Sequence, residues 1–335
     1  MKVLLLINWR EKGEWFHYRE LKQKLEELDI LQPIDCGRSR GRLFDFSVLL
    51  SELYVPFLAL RRSRRYDVVV SWSMRMGILF GVLKRMFVTS ISPRHMIHDF
   101  HINLVRKDWK YRLRMLLLKA SLPGIDFFLC TSSREEAIYA RMFGIPRSRL
   151  WFYPMTPPRS WLSSFELPTQ DYIFAYGNSD RDYDSLVDAV DGLSTRLLIL
   201  SQTYSPRKPL PPNVILITRK HFGMDLIRLI VAARIVVLPI KSSLVSAAQT
   251  AMLETMGLGR PLVVSINMAT LEYARHLDTA LFYDAGDREA LRNCIELLLE
   301  NPVYAEELGK RAREAARLLP DRHVSVFLQA LKQCE

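Results

Sequence analysis

Residues 238–264 read Leu-Pro-Ile-Lys-Ser-Ser-Leu-Val-Ser-Ala-Ala-Gln-Thr-Ala-Met-Leu-Glu-Thr-Met-Gly-Leu-Gly-Arg-Pro-Leu-Val-Val and set small and hydroxyl side chains between a strand and a helix. A buried strand ending at Pro239, a loop over Ser242–Gln249 and a helix opening near Thr250 leave unpaired backbone N–H groups at the helix start. Such groups, helped by the helix dipole, suit a diphosphate. Glu254 follows one turn later, within reach of sugar or ribose hydroxyls beside that phosphate. Gly259 then ends the helix and Arg260-Pro261 starts the next strand. The same residues also fit an ordinary strand–loop–helix–strand unit with a capped helix and a solvated glutamate.

A second group lies in the first half. Arg94-His-Met-Ile-His-Asp-Phe-His101 places His98, Asp99 and His101 at the end of a predicted strand. There an imidazole and a carboxylate, His98 and Asp99, could orient a hydroxyl and accept its proton. The competing role is a histidine that only satisfies loop backbone. Ligands from one loop rarely complete a metal site without further partners, so no metal is expected.

Residues 105–120 put Trp109, Leu113, Leu116, Leu117 and Ala120 on one helical face, flanked by Arg106, Lys107, Lys110, Arg112, Arg114 and Lys119. With Arg61-Arg-Ser-Arg-Arg65 and Lys84-Arg85, this makes a basic and aromatic surface suited to anionic lipid. The alternative is a core-facing helix with solvated charges. No recognisable nucleic-acid module accompanies these residues, so nucleic acid is not expected as a partner.

The elements that must position these groups alternate along the chain, as in α/β layers around a mainly parallel sheet. Strands are predicted at Val3–Ile7, Asp67–Ser71, Arg94–His98 and Phe127–Thr131, with helices at Tyr18–Leu28, Val48–Arg62, Gly77–Phe87, Trp109–Ala120 and Ser132–Phe143. A proline-rich passage, residues 153–168, reads as an interdomain linker. The pattern then restarts with strands at Tyr172–Tyr176, Arg196–Leu200, Val214–Thr218, Ile235–Pro239, Pro261–Ser265 and Leu281–Tyr283. Helices are predicted at Asp184–Leu193, Met224–Ala233, Thr250–Leu258, Arg288–Glu300, Pro302–Leu318 and, after a break at Pro320, Ser325–Lys332. The domains expected are 1–160, 161–320 and a C-terminal segment 321–335 packing back on the first. Two Rossmann-like domains would face each other, with a crevice at the carboxyl ends of their strands.

Bulk composition agrees. A chain of 335 residues, 49% hydrophobic and 25% charged, is long enough for two cores. Cys36, Cys130, Cys294 and Cys334 stand far apart, which argues against a zinc site or a disulfide framework. The apolar run before Asn8, Val3–Ile7, has only five residues, too few for a signal-peptide core, and no stretch reaches the length of a spanning helix. The net charge of +11 is unevenly placed: residues 1–160 hold 28 Lys and Arg against 15 Asp and Glu, residues 161–335 hold 19 against 21. The first half should therefore face something anionic.

Leu253-Glu-Thr-Met-Gly-Leu-Gly-Arg-Pro-Leu-Val-Val264 closely resembles the LEAMA-x-G-x-PVV signature of retaining family-four glycosyltransferases. Tyr176-Gly-Asn-Ser-Asp-Arg-Asp-Tyr183 looks like the first strand–loop of their C-terminal domain. The resemblance is fairly specific over about residues 170–300 and architectural elsewhere. It implies an α/β chain of GT-B type, two Rossmann-like domains facing across a cleft. It further implies transfer of a sugar, with retention, from a nucleotide diphosphate sugar (UDP- or GDP-linked) to a saccharide or lipid-linked acceptor in cell-surface polysaccharide or glycoconjugate synthesis, with no cofactor.

Carried over, Gly177 is the glycine of close backbone approach, Arg181 the cation at the donor diphosphate and Glu254 the ribose contact, second of a Glu-x7-Glu pair. The first glutamate of that pair falls on Ser246, and the usual glycine-rich stretch is Ala247-Ala248-Gln249-Thr250, whose backbone amides can still serve. Lys241 is the candidate for the second positive charge. The family's first-strand glycine pair is replaced by Asn8-Trp-Arg-Glu-Lys-Gly13. A cytoplasmic protein held peripherally on the inner face of the cell membrane fits the basic half. The alternatives are a nucleotide-sugar 2-epimerase of the same fold and a basic nucleic-acid or membrane-binding protein without catalysis.

Overall fold

The computed structural model describes residues 1–9, 16–33, 42–87, 93–105, 107–163, 165 and 167–334. The chain divides into two compact units. Unit 1 comprises Met1–Ile102, Arg106–Tyr153 and Val324–Glu335, and unit 2 comprises Asn103–Val105 and Pro154–His323.

Unit 1 runs β1 (Lys2–Leu6), α1 (Phe16–Lys24), β2 (Glu27–Leu31), α2 (Arg42–Arg62), β3 (Val68–Ser71), α3 (Met74–Phe87), β4 (Arg94–Ile97), α4 (Trp109–Ser121), β5 (Phe127–Cys130), α5 (Ser133–Phe143) and β6 (Leu150–Phe152). Its strands pair in parallel in the order β2-β1-β3-β4-β5-β6, with Val3 opposite both Leu28 and Val68. Both faces of such a sheet are covered, so β1 and β3 are apolar runs rather than alternating ones. Val3, Leu5 and Ile7 pack on one face with Phe327, Ala330 and Leu331 from the C-terminal segment. Leu4 and Leu6 pack on the other with Val55, Ala59 and Phe80.

Unit 2 runs β7 (Tyr172–Tyr176), α6 (Tyr183–Val190), β8 (Arg196–Leu200), β9 (Val214–Ile217), α7 (Met224–Ala232), β10 (Ile235–Leu238), α8 (Gln249–Gly257), β11 (Leu262–Ser265), β12 (Leu281–Tyr283), α9 (Arg288–Glu300) and α10 (Pro302–Arg317). The strand order is β12-β11-β10-β7-β8-β9, again all parallel. The chain leaves β7 outward to β8 and β9, then returns to β10 on the other side of β7. The β7/β10 boundary is therefore a topological switch point, and β1/β3 is its counterpart in unit 1. The last helix, α11 (Leu319–Lys332), follows α10.

Four sequence expectations change. Residues 27–31, taken partly into the first helix, form edge strand β2, because Leu28 and Leu31 are needed against β1 and the core. Leu150–Phe152 forms a second edge strand too short to announce itself. The helix does break, at Leu318 between α10 and α11, but the last helix starts at Leu319 rather than Ser325 and takes in Pro320. That proline lies in the first turn of α11, where a missing N–H costs no helical bond. The proline-rich passage is more than a linker, since Trp161 is buried in the core of unit 2. Ser132, the first residue of the predicted helix, caps α5 by accepting from the Arg134 N–H at 3.1 Å.

Candidate functional site

Tyr176 ends β7, the central strand of unit 2, and Gly177 turns the chain with φ of +117°, where L side chains are strained. The loop carries Arg181 back over that turn. Its Nε donates to the Tyr176 carbonyl at 3.1 Å and its Nη1 to the Ser179 carbonyl at 2.7 Å. A Cβ on residue 177 would meet Nη2 of Arg181 at 2.5 Å. Gly177 thus makes room for the guanidinium, a role the sequence did not suggest. Burial lowers the Arg181 pKa, and nearby Tyr183, Tyr176 and Asp180 work against that.

On the other side of the switch point, the loop after β10 is pinned at several points. Ile240 N–H donates to Ser265 Oγ at 2.7 Å, Ser242 N–H to Asp180 at 3.2 Å, and Asn267 Nδ2 to the Ala247 carbonyl at 3.0 Å. Ala248 then takes a left-handed conformation (φ 70°, ψ 2°) and α8 begins at Gln249, one residue before the predicted start. No side chain caps this end. The first-turn amides have no intrahelical acceptor and carry the positive end of the helix dipole.

Tyr176, Gly177, Asn178, Arg181, Gln202, His221, Phe222, residues 246–251 and Glu254 line one cavity of about 480 Å³. Six predicted residues, Gly177, Arg181, Ser246, Ala248, Gln249 and Thr250, meet there with Glu254. The Ser246 side chain is 5% exposed, and its Oγ has no hydrogen-bond partner among the described residues. Glu254 is half-buried. Desolvation pushes its carboxyl up to about 7, against a lowering contribution from the Tyr176 hydroxyl. Burial, with Glu254 alongside, keeps Tyr176 itself neutral.

Lys241 lies elsewhere. It lines a neighbouring hollow with Asn178, Asp180, Arg181, Asp184 and Arg207, because the Lys241 N–H is tied to the Asp180 carbonyl at 3.0 Å on that side of the loop. Sequence reasoning missed Asn178, Gln202, His221 and Phe222. Asn178 and Gln202 interlock at the ends of β7 and β8 through bonds of 2.8 and 2.9 Å. His221 and Phe222 precede α7 at a Gly223 with φ of +54°. Their only sequence signal was position just beyond a strand or before a helix.

In unit 1, His98 is 5% exposed and packed among rings. It stacks on Trp72 with centroids 3.3 Å apart and meets Tyr153 and Phe327 edge-on. Asp99 is exposed. The imidazole backed by a carboxylate is that of His101, whose Nδ1 lies 3.2 Å from Glu135. Glu135 is fully buried and also accepts from Thr131 N–H and Oγ1 and from the Tyr139 hydroxyl. Burial opposes protonation of His101, but the bond to Glu135 and its charge outweigh this and raise the pKa. At the unit 1 switch point, Glu52 of α2 accepts from Asn8 (3.2 Å), Ser73 (3.4 Å) and Arg75 (2.9 Å). Gly13 and Arg106 lie outside the described residues.

On α4, Lys107, Trp109 and Lys110 are exposed and Arg114 is half-buried. Only Leu118 and Ser121 of this helix are buried, so its apolar face does not serve the core. Among the described residues no group of three or more His, Cys, Asp or Glu could hold a metal ion, and no helix is long and apolar enough to cross a membrane.

Residues 179–301 match the family model "Glycosyl transferases group 1". Among curated protein sequences, none matches this chain. Solved structures share its fold. Sucrose-phosphate synthase from Thermosynechococcus elongatus superposes with a TM-score of 0.68 at 17% identity, over 99% of both chains. HepE from Anabaena, solved with UDP-glucose, gives 0.67 at 12% over 99% of both. TarM of S. aureus, solved as a mutant with fondaparinux, alpha-GlcNAc-glycerol and UDP, gives 0.64 at 14%, over 85% of this chain and 58% of TarM. Unit 2 therefore carries a group 1 glycosyltransferase domain, and the chain is a glycosyltransferase with the two Rossmann-like units of the GT-B fold.

Proposed function

We propose that the cavity at the β7/β10 switch point binds a nucleotide diphosphate sugar, UDP- or GDP-linked. The sugar would pass, with retention, to a saccharide or lipid-linked acceptor of cell-surface polysaccharide or glycoconjugate synthesis. The observation that carries this is the convergence, on one wall-to-wall space of about 480 Å³, of the Arg181 guanidinium, the amide end of α8 and the Glu254 carboxylate. A diphosphate needs the first two, and ribose hydroxyls suit the third.

Arg181 and the α8 amides would stabilise charge on the departing diphosphate, and being fixed beforehand they need no reorganisation as the bond breaks. The acceptor hydroxyl then attacks from the face the phosphate leaves. Ser246 supplies a neutral hydroxyl for the donor sugar where the resembling family has a carboxylate. His221 and Phe222, at the cavity rim, offer rings for the base. In unit 1 the His101–Glu135 pair is better built than His98 to accept a proton, since Glu135 holds Nδ1 and fixes the ring. His98 and Asp99 would flank that pair. Two of the solved relatives carry UDP or UDP-glucose, which supports a uridine donor.

A thermal-shift screen of UDP- and GDP-sugars tests the donor. A ligand held at 100 times its dissociation constant adds about 2.7 kcal/mol to a fold that alone binds it. Product anomeric configuration by NMR tests retention, and incubation without acceptor distinguishes a 2-epimerase. If no sugar nucleotide shifts the melting temperature, the reading fails.

A further inference from the structure

In unit 1, α2, α3 and α4 each carry the chain one way across the sheet, from β2 to β3, β3 to β4 and β4 to β5. Right-handed crossovers put all three on the same face. The inner side of α2 is spent on the core through Val55 and Ala59. Its outer side is also apolar: Phe46, Leu49, Leu50, Leu53, Phe57 and Leu58 recur at helical spacing and are exposed, Leu53 to 57%. On α4, Trp109 (68%), Leu113, Leu116 (65%) and Leu117 are exposed in the same way. So are Met86 and Phe87 at the end of α3 between them. Patches of this extent mark an interaction surface rather than ordinary exposure.

The charges around it choose the partner. Arg61 and Arg62 end α2, Arg64 and Arg65 follow, Arg85 ends α3, and Lys110, Arg112 and Lys119 flank the α4 stripe, all exposed. No acidic residue occurs within α4, and its N-cap Asp108 is engaged by the Tyr111 N–H at 2.7 Å. On α2, Glu52 is turned inward to Asn8, Ser73 and Arg75. The Lys110 ammonium sits 5.7 Å from the Trp109 ring, an arrangement that keeps the charge at the level of an amphipathic interface. A second copy of the chain would bring this positive face against itself in an isologous contact, which like charges oppose. Nucleic acid would leave the two apolar stripes uncovered.

We infer that α2 and α4 together form a docking face for an anionic lipid bilayer, their leucine, phenylalanine and tryptophan side chains entering the headgroup boundary and their arginines and lysines meeting lipid phosphates. The sequence pointed to α4. The α2 stripe doubles the apolar contact and makes the attachment two-sided. Each weak anchor gains from a second on the same rigid body. The docking face lies wholly in unit 1 and shares no residue with the donor cavity of unit 2.

The test is co-sedimentation of the full chain with vesicles. Phosphatidylglycerol–phosphatidylcholine vesicles are compared with phosphatidylcholine alone, at low and high salt. The chain should pellet with the anionic vesicles only, and less so in high salt. Lys110→Gln with Lys119→Gln, both at exposed positions, should weaken binding roughly thirtyfold. Leu53→Glu with Phe57→Glu should abolish it while the circular dichroism melting curve stays cooperative. Equal binding to neutral vesicles, or equal binding by both double variants, would overturn the inference. So would a concentration-dependent dimer, or retention on nucleic acid without vesicle binding, that the α2 variant removes.

Discussion

The hydroxyl of Tyr176 stands 3.2 Å from a carboxylate oxygen of Glu254, joining the end of β7 to the second turn of α8 across the switch point. The same hydroxyl lies 2.8 Å from the Ala251 carbonyl. Glu254 therefore shares its neighbour and stays poorly solvated, and its pKa rises to about 7.

That shift has a definite sign. The folded state holds the Glu254 proton more tightly than the unfolded chain, so its contribution to stability is complete below the unfolded value of 4.5 and is lost as pH rises through about 7. Glu254→Gln should flatten this loss, melting higher than the parent at about pH 8. If Glu254 binds ribose hydroxyls as an anion, UDP-glucose affinity in the parent should increase between about pH 6 and about pH 8. Its diphosphate is fully ionised throughout, so the donor adds no titration. In Glu254→Gln the affinity should be lower and pH-independent. A pH profile unchanged by the substitution would assign the titration to a group other than Glu254.

Gly177 and Arg181 act as a pair. Alanine at 177 is strained at φ of +117° and its Cβ would displace the guanidinium, at a cost of about 1–3 kcal/mol in stability. Nucleotide binding should fall as far in Gly177→Ala as in Arg181→Gln, roughly 10- to 100-fold, since both lose one charge-assisted contact to phosphate. Calorimetry showing full affinity in Gly177→Ala would separate the two residues.

The unpartnered hydroxyl of Ser246 predicts opposite effects on stability and binding. Ser246→Ala removes a buried polar group with no partner, so the ligand-free protein should gain up to about 1 kcal/mol. UDP should bind as before, while the sugar nucleotide loses about 1 kcal/mol, because only the sugar reaches this hydroxyl. Equal losses for both ligands would place Ser246 at the nucleotide instead.

Ala248 holds α8 open in a conformation that glycine adopts without penalty. Ala248→Gly should be neutral or stabilising by up to about 1 kcal/mol and keep donor binding. A β-branched valine in its place should destabilise by about 2 kcal/mol and fill the amide end of the cavity. Paired melting and binding curves decide this.

Much of this was legible in the chain. Val68–Ser71 and Ile235–Leu238 are buried on both faces and so read as unbroken apolar runs, and Ser132 signalled its helix start. Edge strands β2 and β6 escaped because their side chains face core on one side only and their pairing partners are distant in sequence. Arg181, Ser246 and Glu254, which line the cavity, were singled out through a local motif. Asn178, Gln202 and His221 were not, because what unites them is the strand order β10-β7-β8, which no local spacing encodes. Glu135 was not singled out either, because its carboxylate turns back from α5 to Thr131 and His101, contacts that the fold sets.

The central claim, a nucleotide diphosphate pocket between Arg181 and the start of α8, is tested most directly by isothermal titration of UDP and GDP into the intact protein and its Arg181→Gln variant. One of the two nucleotides should bind the parent at one site per chain, and bind the variant roughly 10- to 100-fold more weakly. Absence of binding by either nucleotide, or an affinity untouched by Arg181→Gln, would contradict it.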